Sequence, residues 1–426
     1  MRERLPVRAT IVLGLVTIVG FGAWFYGYGV LLEPIREDTG WSEAVLSSTY
    51  GISLFGAGAL ATLAGRLLHR HGSRLVYAVG AGTVIAAYLV LAAANSEVTF
   101  AVAGVVAGSV TGALGYYAAV HTVIARLVPA ERRAGAITTN TLWGAFASPI
   151  FLPLMAWTVL HLDWRSTLRF TGIAVAAAFV LAAAIVPDSR GGEESSPSLR
   201  ATLAAARRDR VVLALLITTL AGGFVTSVLF LYQVPAMVTA GLTLGLASGF
   251  AGARGFLQLA GRIPMPWLIR RIGSRTTLRM AHLFTGVSCV MLPLAGNLPV
   301  AVAFAVVAGV AIGALVPVES IFSADAVPGS SLGVVLGASA LTRGVGAAVG
   351  PVVAGTLTSV VGTRTPALLL VSMVAVGAAL LVPVPRPEPQ PRHDPKVGAI
   401  AVSPTPRRRG TSVSGRRRRG GPGDGR

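Results

Sequence analysis

Charge is scarce in this chain of 426 residues: only 12% are Asp, Glu, Lys or Arg, whereas 53% are hydrophobic and the mean hydropathy is +0.70. Ordinary soluble domains carry about twice that share of charge. Cysteine occurs once, as Cys289, which cannot form an internal disulfide. The sequence also lacks a phosphate-binding loop, a metal-ligand cluster and a nucleophile with a plausible base. These absences argue against ATP-driven transport, enzymatic chemistry, a metal site and a cofactor.

Long apolar runs replace the missing charge. A transmembrane helix needs about 20 predominantly apolar residues, and twelve runs have roughly that length. The first run follows Arg2, Arg4 and Arg8, but it is too long for the apolar core of a signal peptide, so we expect an uncleaved helix. The runs predict twelve transmembrane helices, at residues 10–32, 44–64, 75–94, 100–125, 136–160, 168–186, 211–238, 244–263, 278–295, 299–322, 333–361 and 367–384.

Two short motifs each occur twice, about 200 residues apart. The loop RHGSR at 70–74 recurs as RIGSR at 271–275, and LVPA at 127–130 recurs as AVPG at 326–329. Such repeats in a hydrophobic chain indicate two similar membrane halves, which most often move a solute between them. We expect an all-α integral membrane fold of two pseudo-symmetric six-helix bundles. The predicted parts are an N-terminal bundle (1–187), a cytoplasmic linker (188–210), a C-terminal bundle (211–385) and a disordered Arg- and Pro-rich cytoplasmic tail (386–426).

Arginine is distributed unevenly between the two sides of the predicted bundle. One side, with the N-terminus and the linker, holds 19 arginines. By the positive-inside rule, that side and both termini lie in the cytoplasm. Most of the net charge of +19 is then topological, so no nucleic-acid partner is expected. The expected location is the cytoplasmic membrane of a bacterium, with lipid around the helices. The opposite loops hold four arginines: Arg36, Arg165, Arg169 and Arg364.

Two polar segments lie outside the apolar runs. The linker is rich in Gly, Ser and Pro, and a short amphipathic helix is predicted from Leu199. The tail carries arginine runs at 407–409 and 416–419 and cannot bury a core, so we expect it to be disordered. Two interpretations of the tail stay open. It is a solvated cationic segment, or it binds anionic lipid, where each Arg near the surface contributes about 1 kcal/mol.

The loop at residues 65–74 carries a family resemblance. Its sequence GRLLHRHGSR resembles the G-x-L-x-D-R-x-G-x-R loop of the major facilitator superfamily and departs at His69, where the family usually has Asp. Residues 27–47 resemble the monocarboxylate and oxalate/formate branch, in which a Gly-Trp-Ser turn opens the second helix. The resemblance implies the major facilitator fold and alternating access. It also implies a gating loop, for which the alternative is a loop that only sets topology: Gly65, His69, Arg70, Gly72 and Arg74.

Charges inside predicted spans are costly and normally face a cavity, and three ionisable residues there are functional candidates. Arg254, near the middle of the eighth span, resembles in position the arginine that meets the substrate carboxylate in monocarboxylate transporters. The alternative is a structural ion pair. The acidic residue that those carriers have one turn earlier is Phe250 here, and their first-helix Lys is missing. Glu319 and His121 are candidates for proton coupling because each can bind and release a proton.

Alternatives for these residues also stay open. Glu319 could pair with Arg254 or Arg343, and His121 could be a packing residue. Arg343 is predicted to be an anchor at the level of the lipid headgroups. Other polar side chains are candidates for the lining of the substrate site, although each is also compatible with packing: Tyr26, Tyr117, Asn140, Tyr232 and Gln233.

The sequence therefore predicts a proton-coupled symporter, a secondary active transporter that moves a small organic anion, above all a monocarboxylate, across the plasma membrane. A drug or metabolite exporter of the same superfamily is the alternative within this class. A transport-inactive membrane sensor or scaffold, which uses the basic tail to bind a partner, is the alternative from another class. Nothing in the sequence predicts the oligomeric state or the direction of transport.

Overall fold

Every regular element that the structure describes is helical. This computed structural model describes residues 7–188, 209–327 and 329–384. The predicted tail lies outside the described residues, as does most of the predicted linker with the helix expected from Leu199.

The first half of the chain forms six spans. A short π-helix at Phe21–Tyr26 joins the first two helices into one span, and a break at Tyr116 divides the fourth span into two helices. The helices of this half are α1 (Val7–Gly20), α2 (Tyr28–Thr39), α3 (Glu43–Ala92), α4 (Glu97–Gly115), α5 (Tyr117–Leu127), α6 (Ala130–Gly144), α7 (Ala147–His161) and α8 (Trp164–Ile185).

The second half repeats this arrangement. Its eighth span is interrupted shortly before Met265, and a short 3₁₀ turn at Leu292–Leu294 ends its ninth span. The helices of this half are α9 (Arg210–Thr239), α10 (Leu244–Arg262), α11 (Met265–Met291), α12 (Leu298–Ala326), α13 (Gly329–Val361) and α14 (Thr365–Leu381).

Two glycines divide helices that would otherwise continue. Gly72 within α3 has a φ of +84°, and Gly273 within α11 has a φ of +80°. Glycine adopts this left-handed conformation without the steric cost that other residues meet. The chain reverses direction at Gly72. The two ends of α3 therefore lie side by side, and the N–H of Ser42 before α3 donates to Glu97 Oε1 after α3 at 2.8 Å. Nine described stretches are long and apolar enough to span a membrane. One of these stretches, α3, contains two spans, and the shorter α10 and α14 supply two more. The structure therefore confirms the twelve predicted helices.

Two arginines in the repeated loop make equivalent contacts. Arg74 Nε donates to Ala183 O at 3.3 Å, near the end of α8. Arg275 Nε donates to Pro383 O at 2.9 Å, just beyond α14. A guanidinium at these places compensates the partial negative charge of a helix C-terminus. The repeat therefore ties the third span of each half to the last helix of the same half.

The two halves meet at one end of the molecule, which we call the distal end. It carries the turns at Gly40 and Gly362 and lies opposite the start of α1. There the Ala44 N–H donates to Ser359 Oγ at 2.8 Å. Extensive contacts join α2 to α9, α3 to α13 and α7 to α10. Within the described residues, α5 and α6 make no extensive contact with α12 or α13. The structure is therefore closed between the halves at the distal end.

Candidate substrate site between the two halves

Arg254 is the central residue of the candidate site. It lies on α10, and it is 0% exposed. Its Nε donates to Gln233 Oε1 at 2.7 Å, and its Nη2 donates to Ser148 Oγ at 3.5 Å. Its Nη1 is buried without a hydrogen-bond partner. Because Ser148 belongs to the first half and Gln233 to the second, Arg254 lies where the halves face each other.

Two aromatic rings flank this guanidinium. Its central carbon lies 4.6 Å from the ring centroid of Phe230 and 5.8 Å from that of Tyr26. Such cation–π contacts contribute about 0.5–2 kcal/mol, depending on how dry the site is. They stabilise the cation in part and leave its charge in place.

No described carboxylate forms a salt bridge with Arg254. Glu319, one of its predicted partners, pairs with Arg343 instead. A buried cation with neutral partners is costly, and inside a membrane such a residue normally serves a function. The site therefore presents a positive charge that an anion would compensate.

Small residues bring α10 to this position. A Cβ on Gly255 would lie 2.4 Å from Ser148 Oγ, so α10 and α7 can approach this closely only without that side chain. On the opposite wall, Tyr26 is the last residue of the π-helix. Single π-turns are rare and occur frequently at functional sites.

The predicted lining residues fall into two groups. Tyr26 and Gln233 contact Arg254 directly, whereas two others serve helix packing. Asn140 Nδ2 donates to Leu13 O at 3.2 Å within the first half. Tyr232 Oη forms a hydrogen bond of 3.2 Å with Thr358 on α13.

Tyr117 and His121 lie next to each other on α5. The Tyr117 hydroxyl donates to Thr141 O at 3.3 Å, and its ring stacks on that of His121 with centroids 5.0 Å apart. His121 Nε2 is buried without a partner. Because Glu319 lies on α12, the two candidates for proton coupling belong to different halves.

A second charged cluster lies inside the second half. Glu319 accepts a hydrogen bond from Thr219 Oγ1 at 2.5 Å and forms an ion pair with Arg343. The interpretation of Arg343 as a headgroup anchor is therefore wrong, because its guanidinium binds a buried carboxylate. His282 on α11 completes the cluster, and its Nε2 is buried without a partner. A Cβ on Gly222 would lie 3.4 Å from Arg343 Nη1 and 3.5 Å from His282 Cε1. His282 was not among the predicted site residues, although it lies inside an apolar run as His121 does.

An ion-pair network joins the halves at the distal end. Arg364 Nε donates to Glu43 Oε1 at 2.7 Å, and its Nη2 donates to Glu33 Oε2 at 2.5 Å. Its Nη1 donates to Thr239 Oγ1 at 2.9 Å. Glu33 and Glu43 belong to the first half, and Arg364 belongs to the second. Arg364 entered the sequence predictions only as a marker of topology, and this network was not predicted.

The predicted gating loop lies at the end opposite to the distal end. His69 and Arg70 are exposed, and Gly65 O accepts a hydrogen bond from a guanidinium of α5. A Cβ on Gly72 would lie 1.9 Å from Asp188 Oδ1. The carboxylate beside this turn therefore belongs to Asp188, beyond the end of α8. The family motif has its Asp at position 69, which is a histidine in this chain.

Comparisons with known proteins agree with this architecture. The Major Facilitator Superfamily profile matches residues 12–298 and 250–417. Monocarboxylate transporter 12 from Rattus norvegicus and from Mus musculus is 29% identical over 177 residues, which are 41% of this chain. The chain spans only 36% of the length of these two relatives.

Solved structures of transporters share the fold. A mutant of the nucleoside transporter NupG superposes with a TM-score of 0.74 at 13% identity, covering 88% of this chain and 98% of that one. A D-xylose-proton symporter superposes with a TM-score of 0.66 at 17% identity, covering 90% and 97%. At such identities the likeness concerns the fold alone. The family profile, the two six-span halves and these folds together place the chain in the Major Facilitator Superfamily, as a multi-pass membrane transporter.

Proposed function

We propose that the protein moves a small organic anion, held by its carboxylate, together with a proton by alternating access. The observation that carries this proposal is Arg254, a fully buried cation between the halves whose hydrogen-bond partners are neutral. The partial likeness to monocarboxylate transporter 12 supports a carboxylate substrate and makes monocarboxylates the first class to test.

The guanidinium of Arg254 has an edge available for a carboxylate. Gln233 binds Nε and orients the fork, whereas Nη1 is unpartnered and Nη2 reaches Ser148 only at 3.5 Å. Arginine binds a carboxylate through two parallel hydrogen bonds. A substrate carboxylate would satisfy Nη1 and replace the long contact to Ser148. The rings of Phe230 and Tyr26 would then contact the apolar part of the substrate.

Alternating access requires the distal end to open and the opposite end to close. In the predicted orientation the distal end faces the outside, so the closed distal end would correspond to a state open to the cytoplasm. We propose that the bundles at 1–187 and 211–385 rock against each other around Arg254, with the linker at 188–210 joining them.

The proposed orientation predicts one-sided labelling. Cysteines that replace the exposed His69 and Thr276 should react with a membrane-impermeant thiol reagent only from the cytoplasmic side, because they lie on the arginine-rich side. A cysteine at the exposed Thr363 should react only from outside. The native Cys289 is buried and should give little background. Labelling of the His69 position in intact cells would contradict the orientation.

Glu319 is proposed as the proton site. Protonation would weaken its pair with Arg343 and free that guanidinium, whereas a glutamine there cannot titrate. Glu319→Gln is therefore expected to lose uptake driven by a pH gradient while retaining substrate exchange, which need not release the proton. Proteoliposome flux with and without a gradient measures this. The double variant Glu319→Gln/Arg343→Gln removes both charges and controls for an unpaired buried arginine. Unchanged gradient-driven uptake in Glu319→Gln and in His121→Ala would remove both residues from coupling.

The substrate class is tested by uptake of labelled solutes into proteoliposomes under an imposed pH gradient. Uptake of carboxylates that fails in Arg254→Gln would support the proposal. Flux of cationic drugs or neutral metabolites alone would favour the exporter alternative. Absence of any flux, together with a cellular function that is lost on deletion of residues 386–426, would favour the scaffold alternative.

A further inference from the structure

Two buried guanidinium nitrogens without partners lie on one face of α10, with Gln258 between them. They are Nη1 of Arg254 and Nε of Arg262. These residues are four positions apart, so their side chains lie on successive turns of the same helical face. An unpaired buried donor destabilises the protein, and more so when the group is charged. Two such nitrogens, both on cations and on one helical face, indicate that a group absent from the protein itself accepts hydrogen bonds from them.

This face of α10 looks toward the first half. The Tyr26 ring lies 5.8 Å from the central carbon of the Arg254 guanidinium. Its hydroxyl forms a hydrogen bond with the Gln258 side chain and interacts electrostatically with Arg254 and Arg262. The hydroxyl of Tyr117 interacts in the same way with Arg262. Both tyrosines belong to the first half, so the two guanidinium groups and Gln258 face the same space between the halves.

The neighbouring faces of α10 are occupied by helix packing. A Cβ on Gly255 would lie 2.4 Å from Ser148 Oγ of α7, and a Cβ on Gly261 would lie 2.3 Å from Val310 O of α12. These close approaches hold the intervening face of the helix between the halves. Its donors are therefore not free to turn toward other parts of the protein.

A purely structural role explains the position of Arg262 only in part. Arg262 lies in the last turn of α10, where a cation interacts favourably with the helix dipole. The dipole does not account for a buried Nε without an acceptor. Among the described residues, no carboxylate forms a salt bridge with Arg262.

We propose that Gln258 and Arg262 form a second anion subsite, and that the substrate is a dicarboxylate whose first carboxylate binds Arg254. This inference rests on the proposed function, because Arg254 supplies the first subsite, and it narrows the small organic anion to a dianion. Four residues of helix rise by about 6 Å, so Gln258 and Arg262 lie roughly 6 and 12 Å along the axis from Arg254. The long arginine side chains shorten this span, and Gln258 donates between the two carboxylates.

A dianion matches the charges of the site better than a monoanion does. A monocarboxylate on Arg254 would leave the Arg262 guanidinium without an anion in the same space. A site whose buried polar groups are left unpaired discriminates strongly against the ligand that leaves them so. Dicarboxylates should therefore bind more tightly than monocarboxylates of equal chain length.

The test compares succinate with butyrate, which share a four-carbon chain, and uses glutarate as a longer dianion. Binding to the purified full-length protein is measured calorimetrically and checked by exchange in proteoliposomes. The wild type should bind succinate or glutarate at least about tenfold more tightly than butyrate, since one close charge pair contributes that much or more. Arg262→Gln should remove this preference and leave butyrate affinity within about twofold of the wild type. Arg270→Gln, the loss of an exposed arginine on α11, should change neither affinity.

The outcomes separate this inference from the function on which it rests. If Arg254→Gln loses carboxylate binding while Arg262→Gln keeps the dicarboxylate preference, the second subsite is overturned and the proposed function stands. Equal losses for butyrate and succinate in Arg262→Gln would assign that residue a structural role and overturn the subsite as well. Carboxylate binding that is unchanged in Arg254→Gln would overturn the proposed function itself.

Discussion

Arg254→Gln is expected to abolish carboxylate binding in a protein that still folds. The substitution removes the charge and the two-donor edge, while the glutamine amide, which extends about as far as the arginine Nε, can still contact Gln233. Truncating one partner of a buried, hydrogen-bonded charge pair costs about 2–5 kcal/mol, so affinity should fall roughly 30-fold to more than 1,000-fold. The fold should survive because Arg254 has no described carboxylate partner that would be left unpaired.

Arg254→Lys separates charge from geometry. Lysine keeps the positive charge but cannot reproduce two parallel hydrogen bonds to one carboxylate. It should also lose the bond that Nε makes with Gln233 at 2.7 Å. Affinity should therefore lie between that of the wild type and that of Arg254→Gln.

The measurement is carboxylate binding by purified Arg254→Lys and Arg254→Gln, with thermal unfolding recorded for each. Equal or higher thermal stability in Arg254→Gln is expected, because a buried cation with neutral partners is removed. Asn140→Ala is the matched control, since Asn140 is a predicted lining residue whose bonds stay within the first half. It should lower stability and spare affinity. Wild-type affinity in a well-folded Arg254→Gln would end the substrate-anion proposal.

Local signals in the sequence were sufficient for the fold. Each span is an apolar run of bilayer length. The turn at Gly72 lies in a short loop motif, and its positive φ requires a glycine. Arg254 was also selected as a candidate from its local sequence, because a permanent charge in the middle of an apolar run has few structural uses. The π-helix at Phe21–Tyr26 was not predicted, since nothing in the local sequence distinguishes it from an ordinary helical turn.

Contacts between distant spans could not be predicted in the same way. Arg343 resembled an anchor because it stands near the start of an apolar run. The helix α13 begins at Gly329, however, so Arg343 lies about 21 Å along it and meets Glu319 of α12. Asn140 resembled a lining residue, but only the packing of α6 on α1 shows that its bonds hold those helices together. Pairings of this kind depend on which helix faces lie opposite each other.

Arg364 illustrates the same limit with a functional consequence. It stands 199 residues after Arg165, an equivalent position in the repeat. Arg165 stays within its half, where its Nη1 donates to Ala92 O at 3.0 Å and Ala94 O at 2.7 Å. Arg364 instead crosses to the carboxylates of the other half. At equivalent positions of the repeat, Arg165 therefore makes contacts within its own half, whereas Arg364 makes contacts that join the two halves.

Arg364→Gln is expected to open the distal end. Arg364 and Glu43 are only 8% and 6% exposed, so their pair is largely dry. Removing one partner of a buried ion pair costs about 3–5 kcal/mol, because the remaining charge is left uncompensated. This cost falls only on the closed state, since water solvates Glu33 and Glu43 once the halves separate. The equilibrium between closed and open should therefore shift by roughly 100-fold or more.

Thiol labelling reports this opening. Ser47 is buried at the distal contact, where a Cβ on Gly355 would lie 2.4 Å from its own Cβ. A cysteine at Ser47, in a Cys289→Ala background, should react slowly with an impermeant reagent in the parent and much faster in Arg364→Gln. Arg165→Gln is the matched control, because it breaks bonds only within the first half, and its labelling rate should equal that of the parent.

A second substitution distinguishes charge from packing at the same place. If the carboxylates left without Arg364 drive the opening, adding Glu43→Gln to Arg364→Gln removes one of them and should slow the labelling of Ser47→Cys again. If the bulk of the arginine side chain holds the halves together, the double variant should label as fast as Arg364→Gln alone. Slow labelling in a well-folded Arg364→Gln would instead show that helix packing closes the distal end without this network, and that the ion pairs contribute little to alternating access.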